Sequence, residues 1–208
     1  HQVAQLPPVI AAWHRVRNGL PILESRPDLG HGANFLWLLH GEDPTPLEAR
    51  IMDTALVLHA DHGFNASTFT ARVVASTMST CYASIASAIG ALYGKLHGGA
   101  NEEVMHTVEK FVSVADVAPF VQDQIEHHEK IMGVGHRVYK TKDPRAVIME
   151  AMLELLSRER GDSFYLEVLR ELERVVNKEM EAKGKKIYPN VDFFSGAVYK
   201  LLGINTIL

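Results

Sequence analysis

A chain of 208 residues, 47% hydrophobic and 22% charged, buries a sizeable core and is not a disordered segment. Its formal charge of -4, from 21 Lys+Arg against 25 Asp+Glu, excludes a protein whose main work is gripping nucleic acid, while leaving room for a local pocket that takes one phosphorylated small molecule. The single cysteine, Cys81, permits no internal disulfide and no cysteine-based zinc site, and fits a reducing, intracellular setting.

No signal peptide is visible, and the first residue is His1, which suggests a chain that begins inside a longer gene product or was trimmed. Val73 to Gly94 carries no charge and is long enough to span a bilayer. It contains Ser76, Thr77, Ser79, Thr80, Ser84 and Ser87 and is bounded by Arg72 and Lys95. A buried pair of helices rich in small residues is the better reading, with no membrane span.

The predicted elements are helices throughout. Pro7 and Pro8 precede a helix beginning at Val9, which Gly19 stops. Asn34 to His40 is a short apolar helix ending at Gly41. Thr45-Pro46-Leu47-Glu48 is a capping box with proline at the first helical position. The helix it opens repeats apolar residues at Leu47, Ile51, Ala55 and Leu58, and ends near Asp61-His62-Gly63. Asn65 or Ser67 caps the next, to about Met78, and Tyr82 to Tyr93 forms another. After Gly98 and Gly99, a helix runs from Ala100 to Val112, and Asp116 opens one through Phe120, Ile125 and Ile131. Asp143-Pro144 starts a helix over 146–160. Asp162 or Ser163 starts a long amphipathic one ending near Gly184. Asn190 caps a last helix, with Gly203 after it.

No sustained period-two strand and no Asn-Gly hairpin is present. The fold class is therefore all-α. Composition changes near residue 98, from Ala/Ser/Thr-rich helices to Glu/Lys/Arg-rich ones. That change marks a candidate domain boundary.

Eleven histidines are present, and most have a plain structural explanation. His127 and His128, within Glu126-His127-His128-Glu129-Lys130, read as a solvated helix face; His14, His40 and His106 fit partly exposed helix positions. Three others lie beside glycine or at a predicted helix end, where a side chain can face a cleft: His62, His97 and His136. Singly, each is a packed or capping residue as readily as a catalytic one; together they suggest a shared site. His59 and His62 are three apart on a helix, but no His-Glu-x-x-His motif accompanies them, and no metal is expected.

Met132-Gly133-Val134-Gly135-His136 lacks the third glycine of a dinucleotide fingerprint and follows no strand. Backbone there still permits close approach of a ligand. Arg137, Lys140, Lys142 and Arg145 follow, reading equally as an anion site or as a solvated loop. Asp192 stands in the first turn of a predicted helix beside Phe193 and Phe194. It either complements the helix dipole or serves as a general base in an apolar wall.

Five segments then carry a resemblance. Leu58-His59-Ala60-Asp61-His62, Gly94-x-Leu96-His97-Gly98-Gly99-Ala100-Asn101-Glu102, Gly133-x-Gly135-His136-Arg137-Val138-Tyr139, Asp143-Pro144-Arg145 and Pro189-Asn190-Val191-Asp192-Phe193-x-Ser195-Gly196 resemble the citrate synthase family in its order and at similar separations. The resemblance runs from about Pro7 to Asn205, and the motifs are of bacterial or archaeal style. It implies an all-helical, two-domain subunit: 1–97 within a large domain with dimer-interface helices, 98–200 a small domain, and 201–208 the start of a return to the large one. It implies a cytoplasmic homodimer that condenses acetyl-CoA with oxaloacetate and water to citrate and CoA, at the head of the tricarboxylic acid cycle, with no cofactor beyond those substrates.

By motif position, the resemblance makes His97, His136 and Asp192 catalytic: His97 on the acetyl carbonyl, Asp192 removing the methyl proton, His136 polarising the oxaloacetate ketone. His62 and Arg145 bind oxaloacetate. Ile131, Met132, Gly133, Val134 and Gly135 contact CoA, with Lys140 facing its phosphates. Members of the family continue past the Asp192 motif with further helices and arginines, so the 208-residue form is expected not to close a complete site. Two alternatives stand beside this reading: a 2-methylcitrate synthase using propionyl-CoA, and an inactive helical fragment that only dimerises or binds CoA.

Overall fold

The computed structural model describes residues 2–61, 63–94, 96–135 and 141–206. Ten α-helices occur among them: α1 (Gln2–Arg17), α2 (His31–His40), α3 (Pro46–His59), α4 (Ala66–Ser76), α5 (Cys81–Leu92), α6 (Ala100–Val108), α7 (Val117–Glu126), α8 (Pro144–Arg160), α9 (Phe164–Ala182) and α10 (Asp192–Leu201). No strand forms among the described residues; one isolated antiparallel bridge pairs Val134 with Pro189. The all-α expectation holds.

Two compact units divide the chain, His1–Ala60 with Tyr199–Leu208, and Asp61–Val198. The composition change near residue 98 lies inside the second. In the first unit, α2 and α3 bury Leu36, Leu38, Leu39, Ile51 and Ala55. The two helices approach closely: a Cβ on Gly32 would stand 2.7 Å from Asp53 Oδ1, which instead accepts the Gly32 N–H at 2.7 Å. Buried Arg15 of α1 donates to the Leu39 carbonyl at 2.9 Å and also to that of Pro21, satisfying a helix-end acceptor. His40 Nε2 is 2.9 Å from the Leu202 carbonyl.

Local signals explain most helix starts. The Thr45–Glu48 box forms in both directions, Glu48 N–H donating to Thr45 Oγ1 at 3.2 Å and Thr45 N–H to Glu48 Oε2 at 2.7 Å. Asn65 and Thr80 cap α4 and α5, and Asp143 caps α8 ahead of Pro144. In the second unit α9 is the organising helix. Its stripe of Leu166, Leu169, Leu172, Val175 and Val176 is buried, and α6, α7 and α8 all pack on it.

Four expectations need correction. Helix α1 begins before the proline pair and runs through Pro7 and Pro8; proline's fixed φ is helical, and the residues preceding the pair are exposed, where unpaired carbonyls meet water. Helix α6 ends at Val108, not Val112, because the Asp116 carboxylate draws in the N–H groups of Val112 and Ser113 at 2.9 and 2.8 Å. A short 3₁₀ turn, Val114–Asp116, follows. Helix α7 stops at Glu126 instead of reaching Ile131. His128 turns left-handed (φ 57°) and Glu129 N–H reaches back to the Gln124 carbonyl at 2.8 Å, a Schellman-type ending.

The fourth correction concerns α4 and α5. They pair with each other as expected, and no described helix is long and apolar enough to cross a membrane. Yet α4 buries no residue and α5 only Ser84. Phe69 (52% exposed), Ile89 (50%), Tyr82 (78%) and Met78 (96%) face outward. Small residues are exposed with them, Ala66, Ala75, Ser76 and Ala86 among them, so pairing the two helices leaves their outer faces uncovered by the described residues.

Candidate active site

The early ending of α7 releases residues 129–135 as a loop. Gly133 and Gly135 take φ of +78° and +90°, a conformation that favours glycine. The loop lies against the segment entering α10: Gly135 N–H donates to the Tyr188 carbonyl at 2.8 Å, and Asn190 N–H to the Gly133 carbonyl at 2.9 Å. A Cβ on Gly133 would stand 2.7 Å from Val104 Cγ2 and 3.0 Å from Phe193 Cα. Gly133→Ala is therefore expected to destabilise the protein by about 2–5 kcal/mol, combining backbone strain with overpacking. A urea titration checks it; an unchanged midpoint would contradict the close packing.

His97 sits in the turn before α6. Gly98 is needed there, since a Cβ would come within 2.6 Å of the Leu92 carbonyl oxygen. His97 is half-buried, and its Nε2 meets Ser67 of α4 twice, 3.4 Å from the backbone nitrogen and 3.0 Å from Oγ. The Ser67 hydroxyl itself donates to Asn65 Oδ1 at 2.8 Å.

Asp192 opens α10, its N–H donating to Asn190 Oδ1 at 2.9 Å. Phe193 and Phe194 behind it are fully buried and meet edge to face at 4.9 Å between ring centroids. Helices α6 and α10 are tied by Asn101 Nδ2, which donates to Ser195 Oγ at 3.1 Å. They also touch closely: a Cβ on Gly196 would stand 2.5 Å from Met105 Cγ.

These segments wall one cleft of about 640 Å³. Leu96, His97 and Ala100 form one side, Ile131 to Gly135 another, and Asn190 with Asp192 a third. Val176 and Met180 of α9 make the lining partly apolar, and Glu129 and Lys130 bring charge to it. Thus His97, Asp192 and the five loop residues Ile131, Met132, Gly133, Val134 and Gly135 come together. His62, His136 and Lys140 lie outside the described residues.

Arg145 is not on this cleft. Its Nη2 meets Asp143 Oδ2 at 2.7 Å and its Nε meets Oδ1 at 3.1 Å, and Asp143 is fully buried. Lys142 is also engaged, bridging Glu150 and Glu173 at 2.7 Å each and lying over the Phe194 ring. Burial raises the Glu150 carboxyl, but hydrogen bonds from Lys142 and Arg170 outweigh it and hold the group below its ordinary value. The two described cations of the 137–145 basic run are therefore paired with carboxylates. Among the described residues no three metal-ligating side chains cluster.

Ser67 and Asn190 are the site residues that motif reading passed over. Asn190 stood out only as a cap. The Ser67–His97 pairing joins residues 30 apart in sequence, and no local signal announces it.

An all-helical fold that brings an imidazole and a carboxylate to one glycine-walled cleft defines an enzyme-like scaffold. The family model described as "Citrate synthase, C-terminal domain" matches residues 1–208, and the chain belongs to the citrate synthase family. It is 49% identical over 202 residues to a citrate synthase of Deinococcus radiodurans, covering 97% of this chain and 53% of that protein. A 2-methylcitrate synthase of Shewanella oneidensis is 40% identical over 205 residues, covering 98% of this chain and 53% of the relative. The crystal structure of the Pyrobaculum aerophilum citrate synthase superposes with a TM-score of 0.91 at 42% identity, covering 98% of this chain and 51% of that one. The Thermoplasma acidophilum citrate synthase, in a ternary complex with carboxymethyl coenzyme A and oxaloacetate, superposes with a TM-score of 0.91 at 35% identity, covering 99% and 54%. The chain spans about half the length of the curated relatives it matches.

Proposed function

We propose that the protein is a citrate synthase, joining acetyl-CoA to oxaloacetate and hydrolysing the resulting thioester. The observation that carries this reading is the meeting of His97 and Asp192 at a cleft walled by the Ile131–Gly135 loop. The Thermoplasma relative, solved with a CoA analogue and oxaloacetate, supports the choice of ligands.

A thioester methyl group is a very weak acid and a carboxylate a weak base, so proton removal needs the developing enolate oxygen to be stabilised as the proton leaves. Asp192 takes the proton. His97, in the turn before α6, holds the thioester oxygen as a hydrogen-bond donor. The carbanion equivalent attacks the ketone carbon of oxaloacetate, whose oxygen gains a proton from His136. Water then cleaves the thioester, releasing citrate and CoA. The family resemblance assigns oxaloacetate to His62 and Arg145, the latter with Nε and Nη2 already on Asp143. The Ile131–Gly135 backbone holds the adenine end of CoA, with Lys140 at its phosphates. No further cofactor takes part.

A second copy of the chain covers the apolar outer faces of α4 and α5, giving a homodimer. The enzyme acts in the cytoplasm, at the head of the tricarboxylic acid cycle. Both assignments follow the family, and the lone Cys81 suits a reducing compartment.

The test follows CoA thiol release by the full-length protein with acetyl-CoA and with propionyl-CoA, with and without oxaloacetate. Release from acetyl-CoA that depends on oxaloacetate is expected. A clear preference for propionyl-CoA would favour the 2-methylcitrate reading that the Shewanella relative raises, since one methylene discriminates only weakly in an apolar pocket. No oxaloacetate-dependent release from either thioester would contradict both.

A further inference from the structure

We infer that Asn190 is a positioning residue, whose side-chain amide sets Asp192 against the adjoining glycine loop that forms the next wall of the cleft. This rests on the reading of Asp192 as the base. Asn190 uses both ends of its amide: Oδ1 accepts the Asp192 N–H at 2.9 Å, and Nδ2 donates to the Gly135 carbonyl at 3.0 Å. Its backbone N–H donates to the Gly133 carbonyl at 2.9 Å. One residue thus bonds the peptides expected to hold the thioester ligand to the first turn that carries the base.

A plain helix cap needs only the acceptor. The Nδ2 bond to Gly135 does nothing for α10 itself; its effect is to fix the distance between two walls of the cleft. The residue is half-buried and lines that cleft, so the bond is partly shielded from competing water. Asparagine meets this demand because one side chain must donate and accept at once. A serine at the position keeps a cap acceptor and loses the reach to Gly135. An aspartate keeps the shape, but loses the donor and sets a second negative charge beside the base. Proton abstraction depends steeply on alignment, and displacement by about 1 Å costs on the order of 100-fold.

The test uses the full-length protein and the variants Asn190→Ser, Asn190→Ala and Asp192→Asn. Each is measured well below its melting temperature, and turnover is counted per oxaloacetate-binding molecule. The second readout is the kinetic isotope effect with trideuterated acetyl-CoA. Both Asn190 variants are expected to lose about 10- to 100-fold in kcat, with oxaloacetate affinity kept and an isotope effect at or above that of the wild type. A kcat within twofold of wild type, or an isotope effect falling toward one, overturns the inference. Were Asp192→Asn itself to keep full turnover, the reading of the base would fall first; a collapse there with Asn190 variants at wild-type rate would sink only the positioning role.

Discussion

Replacing Asp192 by asparagine is expected to lower kcat by on the order of 10²–10⁴-fold, the usual contribution of a positioned general base. The exchange preserves size and leaves the buried Phe193–Phe194 pair behind it untouched. The backbone N–H of residue 192 still donates to Asn190, so the first turn of α10 is kept. Oxaloacetate binding should therefore survive, and the loss should fall on kcat with the oxaloacetate dissociation constant unchanged. Steady-state kinetics with a separate binding titration checks this. A rate within a few-fold of wild type would remove Asp192 from the role of base.

His97→Ala is expected to cost on the order of 10²–10³-fold in kcat, as when one preorganised donor to a developing oxyanion is removed. The substitution also frees the Ser67 N–H from Nε2, but Ser67 keeps its hydroxyl bond to Asn65 Oδ1 at 2.8 Å, so α4 should hold its start. Because His97 and Asp192 act in one step, the double variant should be little slower than the slower single one. Kinetics of the three variants checks this. Losses that multiply would show two independent roles in place of a shared transition state.

The sequence announced those parts of the fold that depend on neighbouring residues. Thr45-Pro46-Leu47-Glu48 and Asp143-Pro144 mark helix starts because proline, cap and acid act within one turn, and both helices begin there. Endings were less legible. The left-handed His128 and the reach of Asp116 back to Val112 reflect competition for the last carbonyls and amides, which periodicity does not register. The α4–α5 pair read as buried because its composition is that of an interior; composition does not say which surface does the burying. In the site, the residue types of His97, Asp192 and the Gly133–Gly135 loop were legible from their motifs. The tie between Ser67 and His97 and the bond from the Asn190 amide to Gly135 are long-range, spanning 30 and 55 residues, and only the folded chain brings those partners together.

The chemistry assigned to the cleft leaves a mark in its product. Incubating the full-length protein with trideuterated acetyl-CoA and oxaloacetate, then weighing the products by mass spectrometry, reads directly whether a carbon–hydrogen bond is broken. Enolisation by Asp192 predicts citrate that retains two of the three deuterons. Acetate carrying all three, with no condensed product, would mean that the cleft only hydrolyses the thioester and that His97 and Asp192 do not form an enol.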